Sequence, residues 1–241
     1  MYGMYGYGYG YGLDPTIILV LIGVALSLWA QGRVNSTFSR YSRVRSMTGM
    51  TGAEAARRLL NAQGIYDVTV QQIAGELTDH YDPRTKTVNL SQSVYGATSV
   101  AAIGVAAHEC GHAMQDNEGY APLRFRSARV PVANFGSSLS WPLILLGLVF
   151  GGLGSPLVEI GILMFSLAVL FQLVTLPVEY NASARAVRLL DAQGILAGEE
   201  VNGTRKVLNA AALTYVAAAA TSILQLLRLI ILFGGRNRRD R

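Results

Sequence analysis

The chain has 241 residues, 51% of them apolar and 15% charged, with a formal net charge of +5 and a mean hydropathy of +0.33. That is more apolar surface than one soluble core takes up, so part of it is expected to face lipid. The positive charge lies in short arginine clusters with no aromatic-interleaved basic stripe, which argues against nucleic-acid binding, and the single Cys110 excludes an intrachain disulfide framework or a CxxC zinc ribbon.

Residues 1–12 are an uncharged Tyr/Gly repeat, expected to form a disordered tail. No basic n-region precedes the next apolar segment, which therefore reads as a retained anchor rather than a cleaved signal. Asp14-Pro15 pairs an N-cap acid with a proline at the first helical position. Ile17 to Ala30 is then almost wholly apolar, with Trp29 as an interface anchor. Pro15 to Gln31 would cover about 25 Å, enough to cross if Arg33 snorkels. Further on, Thr51-Gly-Ala-Glu54 is a capping box that opens a helix through Leu60. Its end, Arg58 to Ile65, recurs almost word for word as Arg188 to Ile195; both read as helix stops with Gly64 and Gly194 in the left-handed position. Val68 to Ile73 alternates like a strand, Asp82 to Thr85 reads as a turn, and Thr87 to Leu90 as a second strand. An Ala/Val-rich helix from about Gly96 to Gln115 is too short in its apolar part to span, and is expected to be buried in a domain.

Apolar segments at about 132–152 and 157–176 flank Gly151 to Pro156, a turn in which Ser155 caps and Pro156 opens the next helix. This pair predicts a transmembrane helical hairpin. Arg33, Arg40, Arg43 and Arg45 follow the first span, Arg124, Arg126 and Arg129 precede the second, and Arg185 and Arg188 follow the third. The positive-inside rule then puts the N-terminus outside and residues 32–131 and the segment after 177 in the cytoplasm. A fourth stretch, 213–233, conflicts with this. It contains Gln225 and Arg228 and is followed by Arg236, Arg238, Arg239 and Arg241. It either crosses against the rule or lies at the cytoplasmic surface.

The chemistry is concentrated in His108-Glu-Cys-Gly-His112, which holds two of the three histidines. A four-residue spacing stacks both imidazoles on one helical face, within reach of a single Zn²⁺. Glu109 is offset by about 100°, beside them, where it can take a proton from water, while Cys110 points away. A catalytic zinc needs a third protein ligand and one open position. His80 is the only histidine left and falls in an expected loop. Glu179, just past the third span and Pro177, is the stronger candidate; its alternative role is an N-terminal acid favouring a helix dipole.

With those residues in view, the sequence resembles the YugP-type family of neutral zinc metallopeptidases. The resemblance is carried by HExxH, by the glutamate directly after a span, and by Thr78-Asp-His-Tyr-Asp-Pro83, Leu123-Arg-Phe-Arg126 and Leu176-Pro-Val-Glu-Tyr-Asn-Ala-Ser183. It covers about residues 30 to 233. More distantly the plan is similar to membrane gluzincins such as the HtpX heat-shock proteases, which implies Glu179 as third ligand. That wider pattern has an aspartate four residues after the glutamate; here the position is Ser183, which leaves Asn181 as the candidate that orients the site.

The expected fold is therefore mainly α: a polytopic helical membrane protein with a small α+β cytoplasmic zincin-like metallopeptidase domain. Its expected parts are a tail (1–12), a transmembrane helix (13–31), the zincin-like domain with the HExxH helix (32–131), the hairpin (132–176), cytoplasmic helices with the third ligand (177–212), an apolar helix (213–233) and a basic tail (234–241). One Zn²⁺ per chain would polarise the scissile carbonyl and acidify water for Glu109. His80, Tyr81, Arg185 and Tyr215 are candidates for stabilising the oxyanion or touching substrate; for His80 a structural role is an equal alternative. The expected partners are the lipid bilayer and a peptide or membrane-protein substrate, which could add to the edge of the strand Thr87 to Leu90. The rival reading is a non-enzymatic membrane scaffold or assembly factor with a structural zinc, which would use four protein ligands. A transporter is disfavoured because the spans hold almost no ionisable residues.

Overall fold

The computed structural model describes residues 14–152 and 155–233, and the side chains of all of these except 124–137. The two expected tails, and the side chains of Arg124, Arg126 and Arg129, lie outside the described residues. The elements in chain order are α1 (Ile17–Ser42), α2 (Gly52–Ala62), β1 (Thr69–Ile73), β2 (His80–Asp82), β3 (Thr87–Ser91), α3 (Gln92–Tyr95), α4 (Val100–Asn117), α5 (Ala121–Gly151), α6 (Pro156–Ala192) and α7 (Glu199–Phe233).

Among the described residues, α1, α6 and α7 are long and apolar enough to cross a membrane, and α5 contributes a shorter apolar stretch, Ser138–Gly151. Their large apolar side chains point outward: Leu28 and Trp29 on α1, Leu163 and Leu167 on α6, Ile230 and Ile231 on α7 are exposed. Water would penalise so large a contiguous apolar surface, whereas hydrocarbon would not. The helices do not stop where the apolar composition stops. α1, α5, α6 and α7 run unbroken through residues 31, 131, 176 and 212, and α6 continues through Pro177 rather than ending there. Each helix therefore carries its direction from the apolar layer into the polar part.

The start of α1 lies slightly later than the Asp14-Pro15 pair suggests. Asp14 accepts the Thr16 N–H at 3.0 Å and its main-chain oxygen accepts from Ile17, so these residues form the turn that leads into the helix. The same carboxylate settles the awkward composition of the last apolar stretch. α7 runs antiparallel beside α1 over its whole length. Gly203 packs on the Tyr41 ring, the Thr221 hydroxyl donates to the Gly23 carbonyl at 3.0 Å, and Arg228 reaches Asp14 at 3.2 Å and the Thr16 hydroxyl at 3.1 Å. The stretch therefore packs along the first apolar segment rather than apart from it, and it is itself long and apolar enough to cross a membrane. An unpaired arginine at mid-membrane costs about 2.5–3.5 kcal/mol on insertion scales. Arg228 avoids most of that by sitting at the level where α1 begins, against an acid.

In the polar part, α2 opens with the capping box that its sequence predicts, Thr51 and Glu54 satisfying each other's backbone N–H. The two matching helix stops also form: Gly64 and Gly194 have φ of +70° and +60°, and Ile65 and Ile195 donate back to Leu60 and Leu190 while burying their side chains. Ser99 caps α4, which is buried on nearly every side by α2, α6, α7 and the sheet. The sheet has order β1-β3-β2, with β1 parallel and β2 antiparallel to β3. This corrects two expectations. His80 does not lie in a loop but opens the short strand β2, whose three residues give too little alternation to read. And β3 is the fully buried central strand, so its edges are taken; the free edge next to α4 belongs to β2.

The pairing of α1 with α7 has a direct consequence. An ideal Cβ on Gly23 lies 3.3 Å from the Thr221 Cβ, close to the usual disulfide separation of about 3.5–4.5 Å. In a Cys110→Ala background, Gly23→Cys with Thr221→Cys should cross-link on mild oxidation, read as a mobility shift reversed by reductant. No cross-link would contradict the antiparallel pairing.

Candidate metal centre

His108, Glu109 and His112 lie on α4, and Glu179 on α6. The two helices meet because Gly111 has no side chain: a Cβ there would sit 2.6 Å from the Ala182 carbonyl oxygen. Backbone-to-backbone contact at this point brings Glu179 over the face that carries both imidazoles. The Nε2 atoms of His108 and His112 lie 3.3 and 3.5 Å from the same Glu179 oxygen, Oε2. Among the described residues these are the side chains whose ligand atoms converge, all within 4.8 Å of one another.

The donor set can be tested against zinc. Ligands about 2.0–2.1 Å from a tetrahedral ion are about 3.3 Å apart along each edge. The two measured separations fit that spacing, and two imidazole nitrogens with one carboxylate oxygen are a donor set that zinc accepts while keeping a position open. Glu179 is 2% exposed and His112 7%, so the group is largely shut off from water on the α6 side. Cys110 is not part of it: its Sγ points to the Ala56 carbonyl on α2, and burial pushes its thiol far above the ordinary range.

The imidazoles are held from behind. Gln115, fully buried, donates its amide hydrogens to the Val178 carbonyl and to Asn181 Oδ1, both at 2.9 Å, which leaves Oε1 to accept from His112 Nδ1 at 3.0 Å. The His112 ring then offers Nε2 toward Glu179. On the other histidine, Ser183 Oγ lies 3.1 Å from His108 Nδ1. So the position that departs from the wider gluzincin pattern contacts a candidate ligand, whereas Asn181 acts one step removed, through Gln115 and Arg185. Gln115 was not singled out from sequence. Its position, three residues after His112 on the same helical face, was the available signal.

Glu109 is 7% exposed, and burial lifts its carboxyl to about 6; the Glu179 and Asp79 charges push the same way, while His108 and the Tyr81 backbone N–H oppose them. Tyr81 therefore addresses Glu109 with its main chain. Its hydroxyl is engaged elsewhere, donating to Asp116 at 2.9 Å, and Asp116 in turn pairs with Lys86 at 3.1 Å. Asp79, which the sequence places in a family-like phrase without assigning it a role, accepts from the Ser91 N–H and hydroxyl and so ties the start of β2 to the end of β3; burial raises its carboxyl nonetheless.

Two clefts open onto this group. One, of about 440 Å³, is lined by His80, Tyr81, Arg84, Leu123 and Tyr215 together with His108, Glu109 and His112. The other, about 280 Å³, runs from His108, Glu109 and Glu179 to Gln31, Val34 and Ala212, where α1 and α7 leave their apolar runs. Asp79 and Tyr215 line both. The structure thus brings His80, Tyr81 and Tyr215 to the site. His80 is held on both sides, Nδ1 facing the Thr78 carbonyl at 2.9 Å and Nε2 facing the Asn89 amide at 3.2 Å. Arg185 is not brought in: it lines neither cleft and is bound to Glu118 and Asn181.

Among the described residues, three helices apolar enough to cross a membrane are joined to a two-histidine, one-glutamate group that could hold a metal ion, the pattern of a membrane metal protein. Comparison with known proteins narrows it. The chain belongs to the family described as "Putative neutral zinc metallopeptidase", which matches residues 16–234. A relative from Bacillus subtilis (strain 168), "Putative membrane protease YugP", is 49% identical over 217 residues, covering 90% of this chain and 96% of the relative. No solved structure matches the chain.

The Gln115 contacts carry a measurable consequence. Loss of a partner that orients a metal-binding histidine typically costs about 10–100-fold in affinity. Gln115→Ala should weaken zinc binding by that order in a competition titration while the helical signal persists. Unchanged affinity would mean that His112 is held without Gln115.

Proposed function

We propose that the chain is a membrane-embedded zinc endopeptidase with Glu109 as general base. The observation that carries this is the convergence of both Nε2 atoms on Glu179 Oε2 at 3.3 and 3.5 Å, with the Glu109 carboxylate lining the same two clefts. His108, His112 and Glu179 would hold one zinc per chain. When bound, the ion would supply Lewis acidity to the scissile carbonyl and to water. Glu109 takes the proton of the attacking water and passes it to the leaving amine; its buried, raised carboxyl suits both directions of transfer. The Tyr81 N–H steadies that carboxylate. Tyr215, which lines both clefts, is the best placed side chain to donate to the developing oxyanion, with His80 as a contact for the substrate main chain.

An extended peptide would lie along β2, whose free edge borders α4. The second cleft, which leads to Gln31 and Val34, favours segments presented near the bilayer surface over freely diffusing proteins. The relative's name, a membrane protease, agrees with this. Arg33, Arg40, Arg43, Arg45, Arg185 and Arg188 lie beyond the apolar runs on the same side as the site, which supports a cytoplasmic zincin-like domain and an outside N-terminus. The scaffold reading is less well supported, because a structural zinc would call for four protein ligands and three converge among the described residues.

One experiment tests chemistry and orientation together. In inverted membrane vesicles, added casein peptide should be cleaved by the zinc-loaded chain, and Glu109→Gln should keep zinc and lose about 10²–10⁴-fold in rate. Sealed right-side-out vesicles should show no cleavage. Full activity in Glu109→Gln would sink the mechanism, and cleavage only in right-side-out vesicles would invert the orientation.

A further inference from the structure

A cleft larger than either one at the metal group lies elsewhere in the chain. It occupies about 690 Å³ between α1, α6 and α7, and Arg33, Arg40, Lys206, Tyr180 and Asn209 line it. Three exposed cations line it, no acidic residue does, and none of the three has an ion-pair partner among the described residues. Such a cluster repels itself and attracts an anion with several acceptor oxygens.

Its depth says where that anion comes from. Arg33 lies directly past the apolar run of α1, Tyr180 directly past that of α6, and Lys206 and Asn209 directly before that of α7. At the other end of α1 and α7 stands the Arg228–Asp14 pair. From Thr16 to Arg33 is about 25 Å of helix, close to the hydrocarbon thickness. The cationic cleft is therefore one of two polar layers that bracket the apolar band, and it sits at headgroup level. Below it the lining turns apolar: Leu213 belongs to the cleft, Val216 is exposed one turn further along α7, and Leu173 is exposed two turns below Tyr180 on α6. A phosphate above and an open apolar track beneath match an anionic phospholipid better than a soluble anion.

We propose that this cleft binds the phosphate of an anionic phospholipid, with its acyl chains along α6 and α7. The site is separate from the catalytic one, since Tyr180 and Glu179 are successive residues on α6 and point about 100° apart. The proposal rests on insertion of the helices in a bilayer but not on peptidase activity. Failure to insert would show separately, as a chain that stays soluble without detergent.

The test is lipid retention by the full chain in mild non-ionic detergent, read by native mass spectrometry. Dioleoyl phosphatidylglycerol should be retained at concentrations at least tenfold lower than dioleoyl phosphatidylcholine. Arg33→Gln/Arg40→Gln/Lys206→Gln should abolish the preference, and so should the single reversal Lys206→Glu, which guards against a folding defect in the triple variant. Arg57→Gln/Arg84→Gln/Arg205→Gln, which removes the same charge elsewhere, should keep it, as should Glu109→Gln. Equal retention of the two lipids by the natural chain overturns the proposal. So does equal loss in both triple variants, which would reduce the effect to net charge, or displacement of the lipid by millimolar inorganic phosphate, which would make the cleft a small-anion site.

Discussion

Everything functional here depends on two helix backbones touching. At Gly111 on α4 and Ala182 on α6 there is room for a hydrogen and nothing more. That contact brings a carboxylate just past the apolar run of α6 to within 3.5 Å of two imidazoles on α4. Gln115 fastens the same interface from one turn further along, bridging to the Val178 carbonyl, Asn181 and His112 at once. Any larger residue at 111 would have to push α6 away, and the donor spacing would widen before the fold failed.

The arrangement also accounts for where charge is placed. Burying a carboxylate such as Glu179 has an effective cost of several kcal/mol unless an opposing charge is supplied. A cation held between Glu179 and the two histidines would supply it. At the edge of the apolar layer, Arg228 is matched by Asp14 at the level where α1 starts. Further into the polar part, Lys86 is shared between Asp116 and Asp67, and Arg185 between Glu118 and Asn181. The cations of the α1/α6/α7 cleft differ in being grouped around one cleft with no acidic residue in its lining.

Much of this was legible in the residues, for reasons that differ from one element to another. The capping box at Thr51 and the glycine stops at 64 and 194 are local devices, complete within a few residues, so the sequence alone predicts them. The spacing of His108 and His112 likewise determines their shared face. Other features depended on tertiary partners. The pairing of α1 with α7 joins residues about two hundred positions apart, and until Asp14 is seen beside Arg228 the last apolar stretch looks too polar to cross. Strand β2 is three residues long and forms because β3 offers it an edge. Gln115 reads as an ordinary polar residue until α6 is laid against it. Arg185 illustrates the converse: it is near the site in sequence, yet its guanidinium is turned to Glu118.

The central claim is that the His108–His112–Glu179 group is a three-ligand zinc site with one position left for water. X-ray absorption at the zinc edge of the purified, zinc-loaded chain addresses it directly. The account predicts one tightly bound zinc per chain, with two imidazoles and oxygen donors at about 2.0–2.2 Å and no sulfur. A sulfur shell at about 2.3 Å, a third imidazole, or the same spectrum from Glu179→Ala would contradict it.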